Sequence, residues 1–109
     1  MPEPTEHDLT LAGFQAYIRD KYYEQDAARG TPGTFMWLIE EIGELATNLQ
    51  KIRGEGGQTS GGSTHEELEG EFADVLAWLC TLANINNVDL SEAVRKKYLR
   101  EDGGPSGVK

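Results

Sequence analysis

Residues 38–45, LIEEIGEL, decide the fold of this chain together with their repeat at residues 68–75, LEGEFADV. In both stretches apolar residues recur at spacings of three and four, which on a helix places them on one apolar stripe. The two stripes are Leu38, Ile42, Leu45 and Leu49, and Leu68, Phe72, Val75 and Leu79. An acidic pair lies at the edge of each stripe, Glu41 with Glu44 and Glu71 with Asp74. Packing of the two stripes against each other is therefore predicted to bring the two acidic pairs together.

The acidic pairs indicate a site for a divalent metal ion. Four carboxylates beside an apolar stripe repel one another and lose hydration, which is unfavourable unless a cation neutralises them. Mg²⁺ prefers oxygen ligands and is the usual ion where a phosphate also binds. We therefore expect Glu41, Glu44, Glu71 and Asp74 to hold Mg²⁺, for which Mn²⁺ can substitute. The alternative is a pair of ordinary amphipathic helices with solvated acidic flanks, but the matched phase of both pairs favours the metal site.

Length and charge restrict the classes of protein and partner. With 109 residues the chain is expected to form one small domain over residues 9–100, with flexible tails at residues 1–8 and 101–109. Lys and Arg number 10 against 19 Asp and Glu, which gives a net charge of −9. Such an acidic chain is not expected to bind nucleic acid through its overall field.

The cysteine count and the hydropathy pattern predict a cytoplasmic protein. The single cysteine, Cys80, excludes an intrachain disulfide and fits a reducing compartment. Its place in a helical pattern favours a small packed residue over a nucleophile. The sequence has no apolar run long enough to cross a membrane and no basic-then-apolar signal segment at its start, so no membrane partner is expected.

The apolar periodicity predicts four helices and no strand, so the expected fold class is all-α. The helices are expected at about residues 9–28, 34–53, 64–83 and 89–100. Thr34 is expected to cap the second helix, Thr64 and Glu67 to form a capping box at the third, and Asp89 to begin the fourth. Residues 54–62, GEGGQTSGG, are expected to form a flexible polar loop. This loop is not a phosphate-binding P-loop, because it lacks the Gly-Lys-Ser/Thr ending and no strand precedes it.

Two other groups of residues have both a structural and a functional interpretation. Trp37 and Trp78 occupy equivalent places near the acidic edges, where they either pack in the core or an interface or stack on a nucleobase. Basic residues cluster near the end of the last helix, where cations interact favourably with the helix dipole. In the functional interpretation some of these cations bind phosphate oxygens, with Lys97 as the best candidate and Arg100 as a second.

The paired motif resembles a known family. Glu41-x-x-Glu44, then 26 residues, then Glu71-x-x-Asp74 is similar to the signature of the MazG-like all-α nucleoside triphosphate pyrophosphohydrolases. Residues 40–46, EEIGELA, and 72–76, FADVL, resemble the family as well, and residues 88–97 are similar to its following helix. The resemblance spans roughly residues 9–97.

The resemblance implies an activity and an assembly. The implied reaction is hydrolysis of a nucleoside or deoxynucleoside triphosphate to the monophosphate and pyrophosphate, a house-cleaning reaction of the nucleotide pool. The matching carboxylates would hold Mg²⁺, and Glu40 would be the base for the attacking water. The family fold is a four-helix protomer that forms a helical-bundle dimer or a dimer of dimers, in which two chains build each site. A homodimer or homotetramer also suits four short helices, which bury little core alone.

The chain departs from relatives at several positions. Glu101 and Asp102 stand near the place where members often carry an Asn that contacts phosphate. Gln25 and Lys51 stand where deoxycytidine-triphosphate-specific relatives carry aromatic residues that contact the base. That specificity is therefore not transferred to this chain.

Two alternative functions remain open at this point. Phosphoribosyl-ATP pyrophosphohydrolase has similar paired acidic motifs, but its usual Ser-Tyr-Thr stretch is replaced here by Gly33-Thr34-Phe35. The second alternative is a non-catalytic helical dimerisation module with an acidic surface. Such a module has no metal site and is expected to ignore Mg²⁺.

Overall fold

A computed structural model of the chain describes residues 9–52 and 64–99, which form three helices and no strand. The helices are α1, Leu11–Ile52, α2, His65–Ile85, and α3, Leu90–Tyr98. The all-α class is thereby confirmed. None of the helices in these ranges combines the length and the apolar character that a membrane crossing requires. The predicted tails, the predicted loop at residues 54–62 and Arg100 lie outside the described residues.

A kink at Gly30 divides α1 into two segments, residues 11–29 and 31–52. The φ of 83° and ψ of 172° at Gly30 are not helical, and glycine adopts positive φ without steric cost. Pro32 follows in the first turn of the second segment, where the missing N–H of proline is tolerated. The two helices predicted here are therefore joined by one non-helical residue rather than by a loop. The prediction that Thr34 caps a helix is wrong, because Thr34 lies within α1 and is fully buried.

The helix starts are capped by side chains, at α2 and α3 by the residues that the sequence predicts. Thr10 Oγ1 accepts a hydrogen bond of 2.9 Å from a backbone N–H in the first turn of α1. Thr64 and Glu67 form the capping box of α2, and the side chain of Asp89 accepts a backbone hydrogen bond at the start of α3. These bonds satisfy N–H groups that the first turn of a helix leaves unpaired, so they define where each helix begins.

The second segment of α1 packs against α2, and the two run antiparallel. Near one end, Asn86 Nδ2 donates a hydrogen bond of 3.1 Å to Thr31 Oγ1, and one to two turns further the rings of Trp37 and Trp78 are in contact. Cys80 is fully buried in this core, and its burial raises the pKa of the thiol. A buried, protonated thiol is unreactive, in agreement with the predicted packing role.

A buried amide pair attaches the α2–α3 turn to the first segment of α1. Gln15 Nε2 donates to Asn84 Oδ1 at 3.0 Å and to the Val88 carbonyl at 2.7 Å. Gln15 Oε1 accepts from the Leu90 N–H at 2.9 Å, and Asn84 Nδ2 donates to the Gln15 carbonyl at 3.2 Å. Each amide thus has partners for both its donor and its acceptor atoms, which fixes the start of α3 on α1.

The two apolar stripes cover each other only in part. Leu38 and Leu68 are buried, and Leu45 and Val75 are half-buried. The other four members are between 41% and 53% exposed: Ile42, Leu49, Phe72 and Leu79. The stripes therefore do not pack completely within one chain, and four of their eight residues are exposed.

Candidate metal centre

Three of the four predicted ligands lie together. Glu41, Glu44 and Glu71 each offer a carboxylate oxygen, and these oxygens lie within 4.8 Å of one another. Glu41 and Glu44 are adjacent on one side of α1, and Glu71 faces them from α2. Glu41 and Glu71 are half-buried, whereas Glu44 is exposed. The matched phase of the two stripes, although only partly packed, is sufficient to bring these side chains to one place.

The electrostatics of this cluster fit a divalent cation. Burial raises the pKa of Glu41 from 4.5 to about 7, with further contributions from the negative charges of Glu44, Asp74 and Glu71 and from a hydrogen bond with Glu71. Glu71 Oε2 is buried and has no hydrogen-bond partner within the described ranges. A hard cation would neutralise this charge and give that oxygen a partner. The donor set, all carboxylate oxygen, therefore fits Mg²⁺.

Asp74 lies next to the cluster but outside the group of three oxygens. It is exposed, and its charge is near enough to raise the pKa of Glu41. Its carboxylate is on a side chain one methylene shorter than that of glutamate, which reduces its reach. A role for Asp74 as fourth ligand therefore stays a prediction.

Glu40 lies in the wall of an open cleft beside the cluster. The cleft has a volume of about 530 Å³ and is also lined by Glu44 and Lys51. Glu40 is exposed and precedes Glu44 by one helical turn, so the two carboxylates share one side of α1. The structure thus places the predicted base beside a predicted ligand, and its catalytic role stays a prediction.

Trp37 and Trp78 stack on each other one turn away from the carboxylates. Their ring centroids are 5.8 Å apart and their planes differ by 10°. The guanidinium carbon of Arg29 lies 5.0 Å from the centroid of the Trp78 ring, a cation–π contact. The rings therefore connect α1 and α2 at the end of the acidic cluster, and stacking on a nucleobase stays a prediction.

Two residues next to this aromatic pair, Asp26 and Arg29, were not predicted from the sequence. Asp26 is only 3% exposed, and Arg29 Nη1 lies 3.1 Å from its Oδ1. The same nitrogen donates to Thr34 Oγ1 at 3.3 Å, across the Gly30 kink. The burial of Asp26 could have been predicted from its spacing. Asp26 follows the buried Ile18 by eight residues and so falls on the inward side of α1.

Lys97, the predicted phosphate-binding cation that lies within the described residues, is not brought to the cluster by the described contacts. Lys97 is exposed on α3, and its Nζ lies 5.8 Å from the ring centroid of Tyr98. No ion pair in residues 9–52 and 64–99 joins Lys97 to the three glutamates. Phosphate binding by Lys97 and Arg100 therefore stays a prediction.

Comparison with known proteins gives one family. A family model described as the MazG nucleotide pyrophosphohydrolase domain matches residues 31–100, well over half of the chain. The matched region begins directly after the kink at Gly30 and contains the acidic cluster, both tryptophans and α3. No curated protein sequence matches the chain. Asp26 and Arg29 lie before the matched region.

Proposed function

The chain belongs to the MazG nucleotide pyrophosphohydrolase family, and on this basis we propose that it hydrolyses nucleoside or deoxynucleoside triphosphates to monophosphates and pyrophosphate with the help of Mg²⁺. The family resemblance seen in the sequence is confirmed by the match. The observation that carries the proposal is the group of three glutamate oxygens within 4.8 Å, which lies inside the matched region. The proposed role is removal of unwanted nucleotides from the cytoplasmic pool.

The cluster supplies the ligands for the metal. Glu41, Glu44 and Glu71, with Asp74 as the fourth carboxylate, would hold Mg²⁺, or Mn²⁺ in its place. When bound, the ion neutralises charge on the triphosphate and lowers the pKa of the attacking water. The raised pKa of Glu41 supports this assignment, since it reflects burial of the carboxyl group together with the negative charges of its neighbours, both of which a bound cation would offset.

The chain's own groups would then perform proton transfer and orientation. Glu40 accepts the proton of a water molecule whose oxygen attacks the α-phosphorus. The bond from the α-phosphorus to the oxygen that bridges to the β-phosphorus breaks, and pyrophosphate leaves with that oxygen. Glu40 suits this role because it lines the same cleft as Glu44 without belonging to the ligand group. Lys97 and Arg100 are proposed to bind phosphate oxygens.

We also propose that the protein acts as a homodimer or a dimer of dimers. Four of the eight residues in the two apolar stripes are exposed, among them Phe72 at 53%. An open apolar cavity of about 420 Å³, lined by Leu9, Phe14 and Leu76, adds to this surface. Exposed apolar surface of this kind is characteristic of protein interfaces, so a second copy is the proposed partner of the outward stripes.

The test is a nucleotide panel incubated with Mg²⁺ or with EDTA, with products separated by anion-exchange chromatography. We expect monophosphate and pyrophosphate to form only with Mg²⁺, and Glu71→Gln to abolish their formation. Glu69→Gln is the matched control, because its side chain is 67% exposed on the same helix. Mg²⁺-dependent turnover that survives Glu71→Gln would contradict the site. Cleavage of phosphoribosyl-ATP alone would favour the histidine-pathway alternative, and no cleavage at all would favour a dimerisation module.

A further inference from the structure

Arg29 contacts three parts of the structure from one position, directly before the kink at Gly30. Its Nη1 lies 3.1 Å from Asp26 Oδ1 and donates to Thr34 Oγ1 at 3.3 Å, and its guanidinium carbon lies 5.0 Å from the centroid of the Trp78 ring. We propose that Arg29, oriented by Asp26, is a positioning residue that keeps α1 and α2 at the separation that the metal ligands require. The inference rests on the proposed function and adds to it a residue that lies before the matched region.

Asp26 determines where the guanidinium of Arg29 lies. The two residues are three apart on the first segment of α1, so their side chains share one side of the helix. The side chain of Asp26 is 4% exposed, and a buried carboxylate without a partner is strongly unfavourable. Hydrogen bonds between two charged groups are also stronger than those between neutral groups. Arg29, although 25% exposed, is therefore kept against the protein instead of extending into solvent.

Gly33 provides the space through which the Arg29 side chain crosses the kink. A Cβ atom on Gly33 would lie 3.0 Å from Arg29 Cγ and 3.6 Å from Arg29 Cδ, and the first of these distances is too short for an undisturbed contact. Gly33 lies in the helical part of α1, where glycine is about 1 kcal/mol less favourable than alanine. The glycine therefore permits the close approach of Arg29 and is not required by the helix itself.

The contact with Trp78 relates the position of Arg29 to the acidic cluster. The Trp78 ring stacks on Trp37, with 5.8 Å between the ring centroids, so the two rings set the distance between the helices at this level. Glu41 follows Trp37 by four residues, which is about 6 Å along the helix axis. Asp74 precedes Trp78 by the same number of residues. The stacked rings are thus one turn away from the carboxylates on both helices.

Metal binding is sensitive to this separation because the ligands lie on different helices. Glu41 belongs to α1 and Glu71 to α2, and Mg²⁺ accepts oxygen ligands only at about 2 Å in nearly octahedral geometry. A cation within about 6 Å of a tryptophan ring is attracted to the face of the ring. Arg29 therefore holds Trp78 in place, and its loss should allow the stacked rings, and with them the two helices, to move apart.

The test measures the Kd for Mg²⁺ by titration calorimetry and the exciton coupling of the two stacked indoles by circular dichroism of the metal-free protein. Arg29→Lys keeps a positive charge beside Asp26, so the variant should fold, but its compact ammonium group lacks the planar surface that covers Trp78. The Kd should rise by about 10-fold or more, and the exciton signal should weaken. Asp26→Asn should change both quantities in the same direction, since it removes the charge that orients Arg29.

Gly33→Ala separates positioning from the loss of a polar contact. The added methyl group displaces the Arg29 side chain, while the preference of alanine for helices, about 1 kcal/mol, helps to keep the protein folded. The Kd for Mg²⁺ should rise in this variant as well. Arg19→Lys is the matched control for Arg29→Lys, because Arg19 is exposed on the same segment and should leave the Kd and the exciton signal unchanged.

An unchanged Kd in Arg29→Lys or in Gly33→Ala would overturn the inference. Lower stability in urea with an unchanged Kd would show that Arg29 is only a structural partner of Asp26.

Metal binding also separates this inference from the proposed reaction. If no triphosphate is cleaved but the variants weaken Mg²⁺ binding, the inference stands and the proposed reaction fails. If triphosphate is cleaved and the Kd does not respond to the variants, the reaction stands and the inference fails. A wild type that binds no Mg²⁺ would overturn both.

Discussion

Glu41→Gln should stabilise the metal-free protein, and the gain should depend on pH. The pKa of Glu41 is raised in the folded state from 4.5 to about 7 by burial and by the neighbouring carboxylates. The folded protein therefore holds a proton that the unfolded chain releases between these two values. The contribution of this group to the stability of the folded protein is fully present below pH 4.5 and is lost as the pH rises from 4.5 to about 7. Glutamine carries no charge at any pH and avoids this loss.

The expected magnitude follows from the pKa shift. One pKa unit corresponds to about 1.4 kcal/mol, so a rise from 4.5 to about 7 corresponds to roughly 3 kcal/mol at pH 8. Glu41 is only half-buried, and solvent screening reduces the effect to about 1–2 kcal/mol. The free energy of unfolding of Glu41→Gln should exceed that of the wild type by this amount at pH 8, and by much less at pH 5.

Urea unfolding followed by far-UV circular dichroism in EDTA, at one fixed protein concentration, measures this difference. Glu24→Gln is the control, because it removes an exposed carboxylate from the same helix and should change stability little at either pH. With excess Mg²⁺ the order should reverse, because a cation that binds the folded wild type stabilises it. An equal gain at pH 5 and pH 8, or no gain at pH 8, would refute the assignment of an uncompensated charge to this cluster.

Three further changes test other parts of the structure. Glu40→Gln should lower kcat by about 100-fold or more with little change in the Kd for Mg²⁺ from calorimetry, and equal losses in both would make Glu40 a ligand. Thr64→Ala should remove about 1 kcal/mol from the free energy of unfolding without changing kcat, and an unchanged urea midpoint would contradict the capping role. Light scattering at micromolar concentration should give a dimer or tetramer that Phe72→Asp dissociates, and a wild-type monomer would contradict the proposed assembly.

The sequence predicted those features that depend on local periodicity. The capping box of Thr64 and Glu67 needs only neighbours in the chain, so its formation could be predicted without knowledge of the fold. The convergence of Glu41, Glu44 and Glu71 depends on two helices packing in phase, and the repeated pattern of the two stripes contained that phase. Asp74 has the same spacing, but its shorter side chain and exposure leave it outside the group.

Other features depend on geometry that periodicity does not contain. Gly30 and Pro32 indicate a break, but whether the chain turns back in a loop or continues after one residue depends on tertiary packing, which local sequence does not contain. The exposure of four of the stripe residues could not be predicted. An apolar stripe on a helix does not specify whether the surface that covers it belongs to the same chain or to another. The burial of Asp26 was not predicted, because apolar periodicity does not identify a charged residue on the inward side of a helix. Its spacing from Ile18 could have indicated it.

The position of phosphorus attack is the central claim, and hydrolysis in ¹⁸O-labelled water tests it most directly. The protein is incubated with Mg²⁺ and the triphosphate that it cleaves best, and the products are analysed by mass spectrometry. If water attacks the α-phosphorus beside the cluster of Glu41, Glu44 and Glu71, the label will be in the monophosphate and the pyrophosphate will be unlabelled. Label in the pyrophosphate, or orthophosphate and a diphosphate as products, would show that attack occurs at another phosphorus and would contradict the proposed reaction.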